Sequence, residues 1–322
     1  MKSFRFFSIL LVITLILSAC GASAPAVERP PLKVGWTLWP GWYPIILADQ
    51  KGFFNDHGVE IEPVFYNSTK ETLTHLASGK LDGSGEVLSD VLLDSISKDV
   101  KIVLLTDNSD GADQLAASPE ILGIQDIRGK RIGIMRGTFS ELWMLQVLSQ
   151  NHISPTEVTF VDVDPSQVPG AIPTEIDLGH TFEPFSSESR AKGQKVIFSS
   201  AETPGLIVDM FAFRRQIIEE RPEDVQAFVD AWFDAVKWWQ ENPVEGNALI
   251  AEATGLKPEE ISFEGINLFD QNANLNAFNP AGTDSTSVYF TTQKYLDDLI
   301  TLGAVSQPVK VEDVLDASFV QK

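Results

Sequence analysis

From residue 32 onward the chain alternates short apolar runs with segments of helical period, and after residue 124 it does so a second time. Residues 32–38 (LKVGWTL) read as a buried strand closed by the Trp39-Pro40-Gly41 turn. Residues 43–54 have helical spacing with Gly52 near the end, and residues 59–65 (VEIEPVF) alternate with the period of a strand. A helix over 69–78 stopping at Gly79, a strand at 81–85, a helix at 89–97 and a strand at 100–106 complete the first run. The second opens with a strand at 130–135 (KRIGIM) and continues with a helix at 140–150 and a strand at 157–163. Strands at 176–182 and 195–199 then flank a helix at 186–192. Such alternation indicates βαβ units and a parallel sheet in each half. Beyond a strand at 209–213 the chain turns mostly helical, with helices at 222–240, from Pro243 to near Gly255, at 288–302 and at 311–315.

The N-terminal residues bear on compartment. Lys2 and Arg5 precede an uncharged apolar run at 6–17 (FFSILLVITLIL), shorter than the ~20 residues that span a bilayer. A charged start, a short apolar run and small residues after it are the features of a secretory signal; a core helix without any polar face is the poorer reading. Leu17-Ser18-Ala19-Cys20 follows, and Cys20 is the sole cysteine. The run resembles a bacterial lipobox, whose cysteine is lipidated and becomes the first mature residue. The alternative is a cut nearby that leaves a free thiol, and an unpaired cysteine in a secreted chain calls for an explanation. Residues 21–31 (GASAPAVERPP) read as a flexible tether. The expected layout is therefore a signal peptide at 1–19, and an anchor and tether at 20–30, with the protein held outside the cytoplasm on the membrane.

The body that remains lies within the ~250–300 residues at which one core divides. Its hydrophobic content of 43% is that of a globular protein. The net charge of −21 becomes two units more negative once Lys2 and Arg5 leave with the signal. Binders of nucleic acid present basic faces, so that class is excluded, and attraction to anionic lipid is excluded likewise. No solenoid repeat, HExxH, GxSxG, Walker loop or GxGxxG is present.

Several segments, in order, resemble one family. VGWTLWPGWYPIILADQKGFFNDHGVEIEPVF, from residue 34, is similar to the opening of the bacterial ABC-transporter binding proteins for nitrate, sulfonates, taurine and thiamine-type pyrimidines. Residues 126–138 (DIRGKRIGIMRGT) resemble that family's entry to its second lobe, residues 177–193 (DLGHTFEPFSSESRAKG) a later stretch, and residues 222–242 the helix that returns to the first lobe. The resemblance covers most of the body. It implies an α/β, bilobal, periplasmic-binding-protein-like fold, two doubly wound sheets joined by hinge strands, closing on a ligand by hinge motion. Lobe one maps to 31–110 and 214–322 and lobe two to 111–213. The implied function is the solute-capturing component of an ABC importer, with a permease and an ATPase as partners, no cofactor and no catalysis, the protein acting as a monomer.

Ligands of doubly wound sheets sit at the carboxyl ends of strands, which selects the loops after residues 38, 85, 106, 135 and 181. Trp36 reads equally as core and as ligand contact; Trp39 and Trp42, beside Pro and Gly in a loop, are platforms for a flat or cationic group. Gly137 and Thr138, ahead of a helix, place backbone N–H groups toward an anion or simply start and cap that helix. Glu86 stands where oxoanion binders of the family offer small or hydroxyl residues. With Asp90 one helical turn on, and Asp107, Asp110, Glu141 and Glu183 at loop ends, it makes the candidate site acidic, although any one of them alone reads more simply as a solvent-facing helix-start acid. A buried carboxylate must be paired, so the set predicts an amine-bearing, zwitterionic or aminopyrimidine ligand. The alternatives are a nitrate or sulfonate receptor of the same fold, a sensory or scaffolding lipoprotein, and an enzyme related to pyrimidine synthesis. The last wants clustered cysteine and histidine, whereas His57, His75, His152 and His180 are scattered and Cys20 lies outside the fold.

Overall fold

A computed structural model describes residues 29–93 and 96–321. The segment up to Pro31 and the body from Leu32 form separate units, and all that follows concerns the body. The expected signal, Cys20 anchor and most of the tether lie outside the described residues.

Among the described residues, eleven strands make two sheets. The first contains β1 (Leu32–Trp36), β2 (Ile61–Phe65), β3 (Gly83–Val87), β4 (Val100–Ser109), β10 (Val208–Arg214) and β11 (Ile266–Leu268), in the order β11-β4-β10-β3-β1-β2. The second contains β5 (Gln114–Ala117), β6 (Arg131–Ile134), β7 (Thr159–Asp162), β8 (Leu178–Thr181) and β9 (Lys195–Ser199), in the order β7-β6-β8-β5-β9. Both sheets are mixed, not parallel throughout: β10 runs antiparallel to β3 and β4, and β5 antiparallel to β8 and β9. The reason is topological. The strands next to the two crossings between sheets return along the sheet without a helical crossover, and only such a crossover makes neighbours parallel.

The helices that matter here are α1 (Pro44–Gln50), α2 (Thr69–Ala77), α3 (Phe139–Gln150), α4 (Pro222–Glu241) and α5 (Val288–Thr301). Pro222 occupies the first turn of α4 with Glu223 and Asp224, a start favoured by the fixed φ of proline and by the helix dipole. Its apolar stripe buries Val225, Phe228, Val229, Trp232, Val236 and Trp239. Phe228 meets Phe211 and Phe213 of β10 edge-on, each at 5.1 Å, and stacks on Phe54 at 5.6 Å. In the second lobe Trp143, Met144, Val147 and Leu148 of α3 pack on Ile132, Ile134, Leu178 and Phe198.

Where a helix is expected over 89–97, the described residues hold a 3-10 turn at Asp90–Leu92, ended by the extended backbone of Leu93. All three residues of the turn are buried, so it has no polar face to give a longer helix an amphipathic period. β5 and β11 are not foreseen from the sequence: they are four and three residues long, and β5 (QLAA) has no β-branched residue to mark it.

The two crossings between sheets are bonded to each other. Ser109 and Ser200 hydroxyls lie 2.7 Å apart, the Gly111 N–H donates to Ser200 Oγ at 2.7 Å, and the Ser200 N–H donates to the Asp113 carbonyl at 2.9 Å. Gly265 closes the arrangement from β11. Its φ is +76°, and a Cβ there would stand 2.5 Å from the Ala112 amide nitrogen, so only glycine fits.

Phe228 is fully buried at the centre of this aromatic cluster. Phe228→Ala is expected to cost about 3–5 kcal/mol in urea denaturation, with Phe228→Leu costing less; a loss under about 1 kcal/mol contradicts the packing described.

Candidate functional site

The carboxyl ends of β1, β3 and β4, the start of β10, and the loops opening β5 and α3 converge between the sheets. They enclose a cavity of about 20 Å³ lined by four rings (Trp39, Trp42, Phe139, Phe182), the hydroxyls of Thr37 and Thr69, and the carboxyls of Asp113 and Asp209. That is room for about one water. No lysine, arginine or histidine lines it.

Each ring is placed by a local cause. Trp42 ends the 3-10 turn Pro40–Trp42 and lies against β3, where a Cβ on Gly85 would stand 2.9 Å from its ring; the glycine makes the approach possible. Trp39 donates its indole N–H to Asp107, at 3.1 and 3.2 Å to the two oxygens, and meets Phe182 edge-on at 5.4 Å. Phe139 is the first residue of α3.

The carboxyls are unusual for a buried interior. Asp107 and Asp209 stand directly opposite each other on antiparallel β4 and β10, an arrangement in which like charges destabilise. Burial pushes both above the ordinary carboxylic range. Hydrogen bonds from Thr106 and Trp39 restrain Asp107. The charge and hydrogen bond of Asp107 add to the burial of Asp209, so the two carboxyls titrate as a coupled pair, both raised. Asp209 Oδ2 has no partner among the described residues, nor has Asp113 Oδ2. The other oxygen of Asp113 is 2.7 Å from His180 Nε2, and His180 Nδ1 is 2.9 Å from Ser140 Oγ. His180 is fully buried between Phe139 and Trp143, so it aims Asp113 into the cavity from behind. Two donors are also unmatched, Trp42 Nε1 and Thr69 Oγ1.

Of the residues the sequence nominates, Trp39 and Trp42 line this cavity. Trp36 packs on Phe65 at 5.0 Å. Glu86 lies on the opposite face of β3 from Gly85 and Val87, because alternate strand residues point opposite ways; burial raises its carboxyl well above the ordinary range, and neither of its oxygens has a hydrogen-bond partner among the described residues. Asp110 is exposed. Gly137, Thr138 and Glu141 border a second cavity of about 200 Å³ together with Asp90. There the Gly137 N–H donates to Glu141 Oε2 at 2.8 Å, and Glu141 pairs with Arg136 at 3.1 Å. Glu183 pairs with Arg190. Its burial tends to raise the carboxyl, but hydrogen bonds from Arg190 and the Ser187 N–H prevail and hold it below the ordinary range. Asp90 is driven to about 8 by burial, with the Phe139 N–H pulling the other way.

Asp113 and Asp209 do not stand out in the sequence. The signal for Asp209 is an acid inside an apolar strand, VDMFAF; Asp113, just ahead of a four-residue strand, carries no comparable mark.

Known proteins share this architecture. A Bacillus subtilis protein named for binding aliphatic sulfonates is 24% identical over 325 residues, 98% of this chain and 95% of that protein. The alkanesulfonate-binding protein SsuA from Xanthomonas axonopodis pv. citri, bound to MOPS, superposes with a TM-score of 0.73 at 15% identity, over 90% of this chain and 99% of that one. The desulfurization enzyme DSZB superposes with a TM-score of 0.66 at 16% identity, over 91% of this chain and 98% of that one, so fold alone does not separate binding from catalysis. The two-lobed fold is that of the periplasmic binding proteins. The family model described as NMT1/THI5 like matches residues 39–246, most of the body that builds the cavity, and the chain belongs to that family.

Proposed function

We propose that this protein is the extracytoplasmic solute-binding component of an ABC importer, held to the membrane through Cys20, and that it captures a small amine-bearing solute between its lobes. The observation that carries the ligand class is the lining of the cavity: aromatic rings and two buried carboxyls with unmatched oxygens, and no basic side chain. Unmatched buried acceptors are costly, and a protonated amine supplies donors to both while its charge rests on the ring faces. The unmatched Trp42 and Thr69 donors call for an acceptor on the same solute, as a zwitterion or an aminopyrimidine provides. Transfer to a permease and its ATPase follows from the kind of protein the relatives are. A binding role, not catalysis, fits His180, which stands behind Asp113 with both ring nitrogens engaged.

A second reading, an oxoanion receptor, is favoured by the names of the sulfonate-binding relatives. It lacks a cationic partner for the anion among the residues that line the cavity.

Thermal-shift and calorimetric titration of the purified protein with primary amines, amino acids, aminopyrimidines, aminosulfonates, alkanesulfonates and nitrate separate the readings. An amine-bearing compound at ~100 times its Kd adds ~2.7 kcal/mol of stability. Asp113→Asn and Asp209→Asn each weaken it by roughly 10–100-fold, the scale of a charge-assisted hydrogen bond. Tight binding of nitrate or a plain alkanesulfonate, with no response to any amine, overturns the reading.

Binding a cation favours ionisation of the coupled, raised Asp107–Asp209 pair, so amine capture releases protons and tightens as pH rises from 6 to 8. Calorimetry in buffers of different ionisation enthalpy reads this directly; an observed enthalpy independent of buffer contradicts it.

Without ligand the sign for stability is the reverse. Asp90 and Asp209 keep in the folded state a proton that the unfolded chain loses in the ordinary carboxylic range. Their contribution is complete below that range and is lost as pH rises toward the value of about 8 that Asp90 reaches. The melting temperature of the ligand-free protein is therefore expected to fall between pH 5 and pH 8, and a rise over that window would contradict the burial of these carboxyls.

A further inference from the structure

The N-terminus of α3 is where a two-lobed α/β receptor of this geometry has most to offer an anion: backbone N–H groups and the positive end of a helix dipole, facing the other lobe. In this chain those N–H groups are taken by the protein itself. The Gly137 N–H goes to Glu141, the Ser140 N–H to Thr138 Oγ1 at 3.3 Å, and the Phe139 N–H to Asp90 Oδ1 at 2.5 Å. Asp90 differs from the other two acceptors in its origin. It belongs to the 3-10 turn that follows β3, so its carboxyl reaches from the first sheet's lobe to cap a helix of the second, and it is 1% exposed.

We propose that Asp90 is a specificity-determining residue, an internal carboxyl that fills the seat of a solute oxyanion at the α3 N-terminus and thereby excludes nitrate, sulfate and sulfonates from the closed protein.

Two features support this. The cap spans the lobes, so closure inserts the carboxyl where an anionic solute would have to enter, and competition is unavoidable. A cavity of about 200 Å³ also borders Asp90, Gly137, Thr138 and Glu141, so shortening the side chain joins free space to the freed N–H. The position needs no charge to act; a neutral carboxyl oxygen accepts the Phe139 N–H and occupies the seat. The inference rests on the cleft between the lobes being the solute site, but not on the solute being an amine.

The test uses sulfate, nitrate and ethanesulfonate as probes against the whole protein, with isothermal calorimetry. The wild-type protein shows no measurable affinity for any of them. Asp90→Asn, which keeps an acceptor of the same size on the Phe139 N–H, also shows none. Asp90→Ala and Asp90→Ser gain affinity for at least one oxoanion by 10-fold or more over wild type. Binding of an amine-bearing compound, measured in the same variants, reports separately on the ligand class: its failure in wild type sinks the amine reading, while the role of Asp90 is still decided by the gain, or its absence, at Asp90→Ala. If Asp90→Ala does not fold, Asp90→Ser and the wild-type titration decide. Folded Ala and Ser variants with no gain for any probe reduce Asp90 to a helix cap, and micromolar binding of a probe by wild type overturns the proposal outright.

Discussion

Asp107 and Asp209 are brought face to face by the two strands nearest the crossings between lobes, and much of the molecule is arranged around that contact. β4 leaves the first sheet and β10 re-enters it, as antiparallel neighbours, so the residues at their adjoining ends are paired by register and not by choice. Two carboxyls in that position cannot both be charged in a dry interior. The chain holds one of them with the Trp39 indole and the Thr106 hydroxyl and leaves the other with an oxygen free at the cavity. The placement of Trp39, and through it the edge-on contact to Phe182 in the other lobe, follows from that bond.

The same logic runs through the second lobe. Asp113 lies on the first crossing, its carbonyl bonded to Ser200 of the second, and its side chain is oriented by a buried histidine anchored on Ser140. A movement that parts the lobes also moves the partners of these acids. The relative position of the lobes and the protonation of these acids are thus linked through groups that touch one another.

Much of the architecture is legible in the sequence because it is periodic. The strand at 195–199 coincides with β9, and α4 follows the proline and acidic residues that start it. Antiparallel pairing is not legible: β5 and β11 are too short to carry a period, and β10 looks like any apolar strand until its neighbours are known. At the site, Trp39 and Trp42 are marked by the Pro-Gly turn that makes them poor core residues in sequence. Glu86 shows the limit of the same reasoning. It sits at the correct end of the correct strand, but a shift of one residue reverses the face, and only the packing of Trp42 over Gly85 tells which face looks into the cavity. Asp113 and Asp209 stay hidden because an acid beside a short strand looks the same in sequence whether it faces solvent or a partner lobe.

The fold is shared with binding proteins for sulfonates and with an enzyme, so the scaffold does not choose the ligand. The choice lies in what meets the solute where the lobes close. A helix N-terminus presented to an interlobe cleft attracts anions by default, and a receptor built on this plan must use that attraction or cancel it. This chain answers the α3 N-terminus with Asp90 and lines the neighbouring cavity with Asp113, Asp209 and four rings. On the proposed reading, each of these placements disfavours an oxoanion by a different means: occupancy of its donors, absence of a cation to pair it among the cavity-lining residues, and unmatched acceptors facing it. Independent elements of both lobes share this bias, although no single acid among them specifies a cation, and for that reason the ligand class is to be argued from the assembled cavity and not from any one residue.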